Sequence, residues 1–138
     1  MPLPLPLLDT NPILRHVVWD HADHSPRAHA LMKRIESGDE RVRTTDTVIF
    51  EVVYTLEKFY SASRPEIRDA LSGILSLPGI LLPRKDSYRR VFELWVSHPR
   101  LSFADCYHAA LVERLSLPAI ISFDRGFDAI TFIVRREP

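Results

Sequence analysis

Short apolar runs alternate with longer amphipathic segments along this chain, and that alternation constrains the fold more than any other feature. The strand-like runs begin at about Pro6 or Leu7 and recur at 41–45, 80–82, 119–122 and 131–134. The segments between them carry apolar residues three and four positions apart, which is typical of helices that pack by one face. Because strands alternating with helices indicate a parallel sheet, we predict an α/β fold with helices on both sheet faces.

Local signals mark where several helices begin and end. Ser25, which is followed by proline, predicts an N-cap, and Gly38 predicts the end of the same helix. The segment 63–66 has the form of a capping box. Asp86 predicts the cap of a later helix, and 102–105 resembles a second capping box in which Asp replaces the preferred Glu or Gln.

Length and composition narrow the class of protein. The chain has 138 residues, of which 46% are hydrophobic, so we predict a single domain over 1–138. Lys plus Arg and Asp plus Glu both total 18, so the formal net charge is zero and a polyanionic partner must be held locally.

Cellular location is predicted from weaker signals. The single cysteine, Cys106, excludes an intramolecular disulfide and fits a reducing compartment. No apolar stretch approaches the roughly 20 residues that span a bilayer, and residues 1–6 lack the basic region of a signal peptide. We therefore expect a cytoplasmic protein without membrane contact.

Four acidic residues stand at the edges of apolar segments across the chain: Asp9, Glu51, Asp105 and Asp124. In an open α/β sheet the ligand crevice lies outside the carboxyl ends of the strands, so such acids can converge on one site and bind metal. Three of the acids also have a local explanation. Asp105 is explained by capping, and Asp9 and Asp124 by strand-to-helix turns. Glu51 lies within an apolar helix, where burial of an unpaired carboxylate would be costly.

Two other groups of residues suggest chemistry less strongly. A loop could ligate zinc, although a solvated loop without a metal explains the same residues, which are Asp20, His21, Asp23 and His24. Cys106 stands beside Asp105 and could be a nucleophile, but its setting in an apolar helix favours a small core residue.

The segments that carry the four acids resemble the motifs of PIN domains, and their order and spacing resemble those of VapC-type ribonuclease toxins. These segments are 7–11, 48–53, 102–106 and 121–127. The resemblance covers essentially the whole chain. It implies a three-layer α/β/α domain with a five-stranded parallel sheet in the order 3-2-1-4-5. It also implies a Mg²⁺- or Mn²⁺-dependent endoribonuclease for single-stranded RNA, a homodimer, and a cognate antitoxin protein that silences the toxin.

The resemblance also assigns roles to residues. The implied catalytic and metal-binding acids are Asp9, Glu51, Asp105 and Asp124. Mg²⁺ and Mn²⁺ prefer carboxylate oxygens and water, and a bound ion can activate water for attack on a phosphodiester, so no protein nucleophile is required. From their position near the acids in the sequence, secondary candidates for orienting metal-bound water are Asn11, Ser122 and Asp128, although turn chemistry explains these residues as well. Arg125 follows Asp124 directly and is a candidate for contacting a substrate phosphate.

Two rival functions belong to other classes. A phosphotransfer enzyme with an aspartyl nucleophile also places Asp after its first strand, but such families need a late lysine. The lysines here are Lys33, Lys58 and Lys85, which argues against that reading. The other rival is a catalytically inactive PIN-like module that only binds protein or RNA, and the presence of all four acids argues against it. The RNA target, the cleavage site, the antitoxin and the number of metal ions stay open.

Overall fold

The computed structural model describes residues 4–138 and divides the chain into two compact units, Met1–Asp86 and Ser87–Pro138. The signal-peptide prediction concerned residues 1–6, of which residues 1–3 lie outside the described residues. The two units are called unit 1 and unit 2 below. The single domain predicted over 1–138 includes both and stays a prediction.

Unit 1 consists mainly of helices with two short strands between them. In chain order its elements are α1 (Thr10–Val17), α2 (His24–Ser37), β1 (Val42–Arg43), α3 (Asp46–Lys58), α4 (Arg64–Leu75) and β2 (Ile80–Leu81). A 3₁₀ turn over Lys85–Ser87 precedes the first helix of unit 2. No helix within 4–138 is both long and apolar enough to cross a membrane.

The strands of unit 1 pair in parallel, and their order agrees with the first half of the predicted sheet. β1 pairs with β2, with Val42 opposite Ile80. Leu7 forms an isolated parallel bridge with Arg43 on the other side of β1. The Arg43 amide donates to the Pro6 carbonyl at 2.9 Å, so the proline takes part through its acceptor alone. The segment at Leu7 is the first predicted strand, β1 is the second and β2 is the third. The order of these three segments is therefore 3-2-1.

Unit 2 contains α5 (Tyr88–Ser97), α6 (Phe103–Leu115), β3 (Ile120–Ile121), a 3₁₀ helix (Arg125–Ala129) and β4 (Arg135–Arg136). β3 and β4 are parallel, as predicted for the fourth and fifth strands. The last strand was predicted at 131–134 and lies later, because the chain turns after the 3₁₀ helix through a hydrogen bond from the Ile133 amide to the Ile130 carbonyl. A single five-stranded sheet stays a prediction.

Two of the predicted helix caps are wrong and the other signals are confirmed. α2 begins before Ser25, whose side chain is buried and whose hydroxyl accepts from the His21 amide at 3.3 Å. Asp86 lies in the 3₁₀ turn and does not cap α5. Gly38 ends α2 with a positive φ of 87°. Both predicted capping boxes, at 63–66 and 102–105, are present.

The two units are filled by different kinds of side chain. The buried side chains of unit 1 are mainly aliphatic and include Ile13, Ile35, Ile49, Val52, Leu56, Ile67 and Leu71. Unit 2 buries aromatic rings, with Trp95 edge-on to Phe103 at 5.2 Å and Phe92 at 5.4 Å from the same ring. Cys106 is fully buried, which confirms it as a small core residue.

Candidate active site

In unit 1 the first two acidic motifs meet through a threonine. Asp9 is the exposed N-cap of α1, and its side chain makes no capping hydrogen bond. Thr10, the next residue, is buried, and its hydroxyl donates to Glu51 Oε2 at 2.8 Å. This hydrogen bond joins residues 41 positions apart. The residue that follows Asp9 therefore contacts the second acid directly.

Glu51 is held on α3 by the apolar residues around it. Thr45 caps this helix by accepting from the Val48 amide at 3.2 Å. The face that includes Ile49 and Val52 is buried, whereas Glu51 itself is exposed. The cost expected for a buried carboxylate does not arise, and water or an ion can reach this side chain.

In unit 2 the third acid is part of the cap of α6. Asp105 Oδ2 accepts from the Ser102 amide, and Ser102 Oγ accepts from the Asp105 amide, both at 3.1 Å. A carboxylate in the first turn also interacts favourably with the helix dipole. The hydrogen bond from the Ser102 amide holds the carboxylate by its Oδ2 atom.

The fourth acid, Asp124, caps the 3₁₀ helix that follows β3. Its Oδ1 accepts from the Gly126 amide at 2.8 Å, and its own amide donates to Ser122 Oγ at 2.9 Å. A Cβ on Gly126 would lie 3.0 Å from Asp124 Oδ1 and 2.8 Å from a methyl carbon of Leu101. A larger side chain at position 126 would therefore crowd Leu101 and the Asp124 carboxylate, which the turn orients.

Among the secondary candidates, Asp128 and Ser122 are tied to β4 by one arginine. Arg135 donates to both carboxylate oxygens of Asp128, at 2.9 and 3.3 Å, and to the Ser122 carbonyl at 3.1 Å. These hydrogen bonds, with the charge of Arg135, lower the pKa of the Asp128 carboxyl group. Asp128 thus has a structural role, and its predicted role in orienting water stays a prediction.

The remaining candidates are exposed. Asn11 lies in the first turn of α1, two residues after Asp9. Arg125 opens the 3₁₀ helix directly after Asp124, and its charge contributes to the lowered pKa of Asp128. Both positions are accessible to a ligand.

The side chains of the loop considered for zinc, residues 20–24, make contacts within the loop and with neighbouring residues. His21 Nδ1 accepts from the His24 amide at 2.9 Å, and the two imidazole rings stack at 3.9 Å. Asp20 accepts from Arg15 at 3.0 Å and from the Tyr60 hydroxyl at 2.8 Å. The hydrogen bond from Tyr60 is the main cause of a lowered Asp20 pKa. These side chains stabilise the start of α2.

A metal ion fits the four acids by donor chemistry. In the part of the chain described here, no three His, Cys, Asp or Glu side chains form a group that could hold a metal. Mg²⁺, however, keeps several waters and commonly binds one or two carboxylates together with a substrate phosphate. Exposed carboxylates such as Asp9, Glu51 and Asp124 suit that mode of binding.

Comparison with known proteins defines the class. A sequence model described as PIN domain matches residues 7–133, and the chain therefore belongs to the PIN domain family. Within that family it is similar to a VapC ribonuclease of Mycobacterium bovis and to ribonuclease VapC13 of Mycobacterium tuberculosis. Each is 28% identical over 131 residues, which are 94% of this chain and 97% of the relative. A VapC ribonuclease of Aquifex aeolicus is 24% identical, covering 91% of this chain and 92% of that protein. The predicted resemblance is confirmed.

Sequence reasoning missed two residues that shape the site. Thr10 could have been suspected, because it is a polar residue in the first turn of a helix directly after Asp9. Arg135 carries no comparable local signal, since its contacts with Ser122 and Asp128 depend on the pairing of β3 with β4.

Proposed function

We propose that this chain is a Mg²⁺- or Mn²⁺-dependent endoribonuclease that cuts single-stranded RNA by attack of water on a phosphodiester. Membership of the PIN domain family and similarity to proteins named VapC ribonucleases support this proposal. The geometric observation that carries it is the Thr10–Glu51 hydrogen bond, which joins the first two acidic motifs at the start of α1.

The carboxylates proposed for the metal are those of Asp9, Glu51, Asp105 and Asp124, of which one or two would bind the ion directly while water completes its coordination. When bound, such an ion stabilises negative charge on the phosphate and activates water. Hard cations of this kind prefer the carboxylate oxygens that these residues offer.

The chain's own residues supply orientation. Thr10 fixes one oxygen of Glu51, Ser102 fixes one oxygen of Asp105, and the Gly126 amide fixes one oxygen of Asp124. Each of these three carboxylates therefore has one oxygen held by a hydrogen bond. Arg125, exposed beside Asp124, would contact a phosphate of the RNA. The buried Cys106 is not required as a nucleophile.

The biological setting proposed is a type II toxin–antitoxin pair in the cytoplasm. The chain would act as the toxin, would form a homodimer, and would be silenced by a cognate antitoxin protein. The names of the VapC relatives support this setting. The same family membership supports a single five-stranded sheet in the order 3-2-1-4-5.

Cleavage by purified protein tests the activity. Wild type should cut single-stranded RNA with Mg²⁺ or Mn²⁺ and stop when a chelator is added. Glu51→Gln should lose at least about 100-fold in rate, because a missing ligand forfeits several kcal/mol of charge stabilisation. Glu57→Gln is the matched control, since Glu57 lies on the same helix and pairs with Arg64 at 3.5 Å outside the acidic motifs. Cleavage that continues in excess chelator would refute metal dependence.

Growth of a bacterial host tests the toxin proposal. Wild type should arrest growth, and Asp9→Asn should not. Asp69→Asn, at an exposed position of α4, controls for the loss of one carboxylate and should still arrest growth. Equal growth with wild type and Asp9→Asn at equal soluble yield would remove the support for a toxin. RNA binding without cleavage in all conditions would instead indicate an inactive PIN-like binding module.

A further inference from the structure

A groove of about 630 Å³ runs between α1 and α2 in unit 1. Its ionisable lining residues are all basic, namely Arg15, His24, Arg27 and Arg34. Each of the three arginines has an acidic partner outside the lining, so the groove presents guanidinium groups without a large net positive charge. Guanidinium groups are hydrogen-bond donors that suit anionic ligands such as phosphate.

Helical spacing brings these residues to one side of each helix. On α2, Arg27 and Arg34 are seven residues apart, which places them on the same face about 10 Å apart along the axis. On α1, Asn11 and Arg15 are four residues apart and share a face. Asn11 lies two residues after Asp9, so the groove begins at the turn that carries the first acid of the candidate site.

The acids that neutralise the arginines lie outside the lining. The ion pairs are Arg15 with Asp20 at 3.0 Å, Arg27 with Asp23 at 3.3 Å, and Arg34 with Glu40 at 2.9 Å. Exposed pairs of this kind are weak. Each of these hydrogen bonds uses one guanidinium nitrogen, whereas a phosphate can accept two from the same group, so an incoming phosphate can compete with the carboxylate partners.

The rest of the lining is mainly apolar and includes Pro12, Ala28 and Leu31. A groove that combines cationic groups with an apolar floor suits a ligand with alternating charged and uncharged parts. A nucleic-acid strand has this character, because phosphates alternate with sugars and bases along it.

We propose that this groove binds the sugar-phosphate backbone of single-stranded RNA next to the segment that reaches Asp9. The inference rests on the proposed ribonuclease function and extends it to a binding track for the substrate. Arg15, Arg27 and Arg34 contact phosphates, and the apolar floor packs against sugars or bases.

Binding of a short fluorescein-labelled oligouridine, followed by fluorescence anisotropy in a chelator, tests the track without any cleavage. The triple variant Arg15→Gln, Arg27→Gln, Arg34→Gln should bind at least about 10-fold more weakly. The slope of log affinity against log salt should fall by about 2, since each lost phosphate contact on a single strand removes about 0.7. Arg68→Gln is the matched control, because Arg68 also pairs with an acid in unit 1, at 2.9 Å, outside the groove.

A reciprocal variant raises binding if the track is real. Asp23→Asn removes the partner of Arg27, and the Asp23 side chain makes no capping hydrogen bond whose loss would disturb α2. The variant should bind the oligouridine more tightly, by up to about fivefold.

The outcomes separate this inference from the proposed function. If the triple variant binds RNA with unchanged affinity and salt slope while wild type cleaves RNA, the track is wrong and the ribonuclease stands. If the triple variant loses binding although wild type cuts nothing, the track stands and the ribonuclease fails. Retained RNA binding with loss of binding to polyglutamate would assign the groove to an acidic protein segment and overturn the proposal. If the triple variant does not fold, Arg27→Gln alone carries the test, since that side chain is 73% exposed.

Discussion

The two units place their acidic residues in different relations to the backbone. In unit 1, Asp9 makes no capping hydrogen bond, and Glu51 accepts a hydrogen bond from a side chain, that of Thr10. In unit 2, Asp105 and Asp124 both accept from backbone amides and hold the starts of their helices. The candidate site acids of unit 1 thus make no capping hydrogen bond, whereas each candidate site acid of unit 2 also caps a helix.

The units also differ in the burial of their tryptophans, which can serve as fluorescent probes of unfolding. Trp19 of unit 1 is 59% exposed, whereas Trp95 of unit 2 is 1% exposed and surrounded by aromatic rings. Replacing Trp19 by Phe would leave Trp95 as the fluorescent probe of unit 2. The fluorescence of this variant therefore follows the unfolding of unit 2.

The largest expected effect on stability comes from a core truncation in unit 1. Leu71→Ala, at a fully buried position, should cost about 2–5 kcal/mol of unfolding free energy, because it leaves a cavity. If 1–138 is one domain, urea unfolding followed by Trp95 fluorescence in the Trp19→Phe background should report the whole of this loss. A Trp95 transition that keeps its midpoint would show that the units unfold independently.

A smaller effect should separate the acids of the two units. Asp105→Ala removes half of a capping box and a favourable charge at a helix start, and should cost roughly 0.5–1.5 kcal/mol. Asp9→Ala should change the unfolding free energy by no more than about 0.5 kcal/mol, since no capping hydrogen bond is lost. Denaturant midpoints with unchanged slopes measure both. Equal losses, or a larger loss at Asp9, would contradict the contrast between the units.

The smallest effect is a pH dependence in unit 1. Burial, followed by the nearby charges of His29 and Lys33, lowers the pKa of His16, whose ring stacks on His29 at 5.4 Å. The folded state disfavours the protonated ring. The contribution of His16 to the free energy of unfolding is therefore present near neutral pH and falls as the pH drops below the ordinary pKa of 6.5. His16→Gln should reduce the loss of stability between pH 7.5 and 5.5. An unchanged loss in this variant would assign the pH dependence to other groups.

Local sequence signals predicted the parts of the structure that depend on near neighbours. The capping boxes at 63–66 and 102–105 and the end of α2 at Gly38 need only residues within one turn of each other. Ser25 failed as a cap because its hydroxyl is buried against the preceding loop, which no local pattern encodes.

Long-range contacts could not be predicted from the sequence, because local patterns describe only residues that are close together along the chain. The motifs identified four acids, but the hydrogen bond from Thr10 to Glu51 spans 41 positions and depends on the packing of α1 against α3. The groove arginines were also missed, although their seven-residue spacing on α2 is visible in the sequence. Their convergence with Arg15 requires the pairing of α1 with α2.

The proposed activity requires the four acids to act as one catalytic set, and a double-mutant cycle on Asp9 and Asp124 tests this requirement most directly. Rates of RNA cleavage with Mg²⁺ would be compared for wild type, Asp9→Asn, Asp124→Asn and the double variant. Residues that act together are strongly non-additive, so each single variant should lose at least about 100-fold and the double variant should be little slower than the worse single one. Near-wild-type cleavage by either single variant, or a double loss equal to the product of the single losses, would contradict the claim.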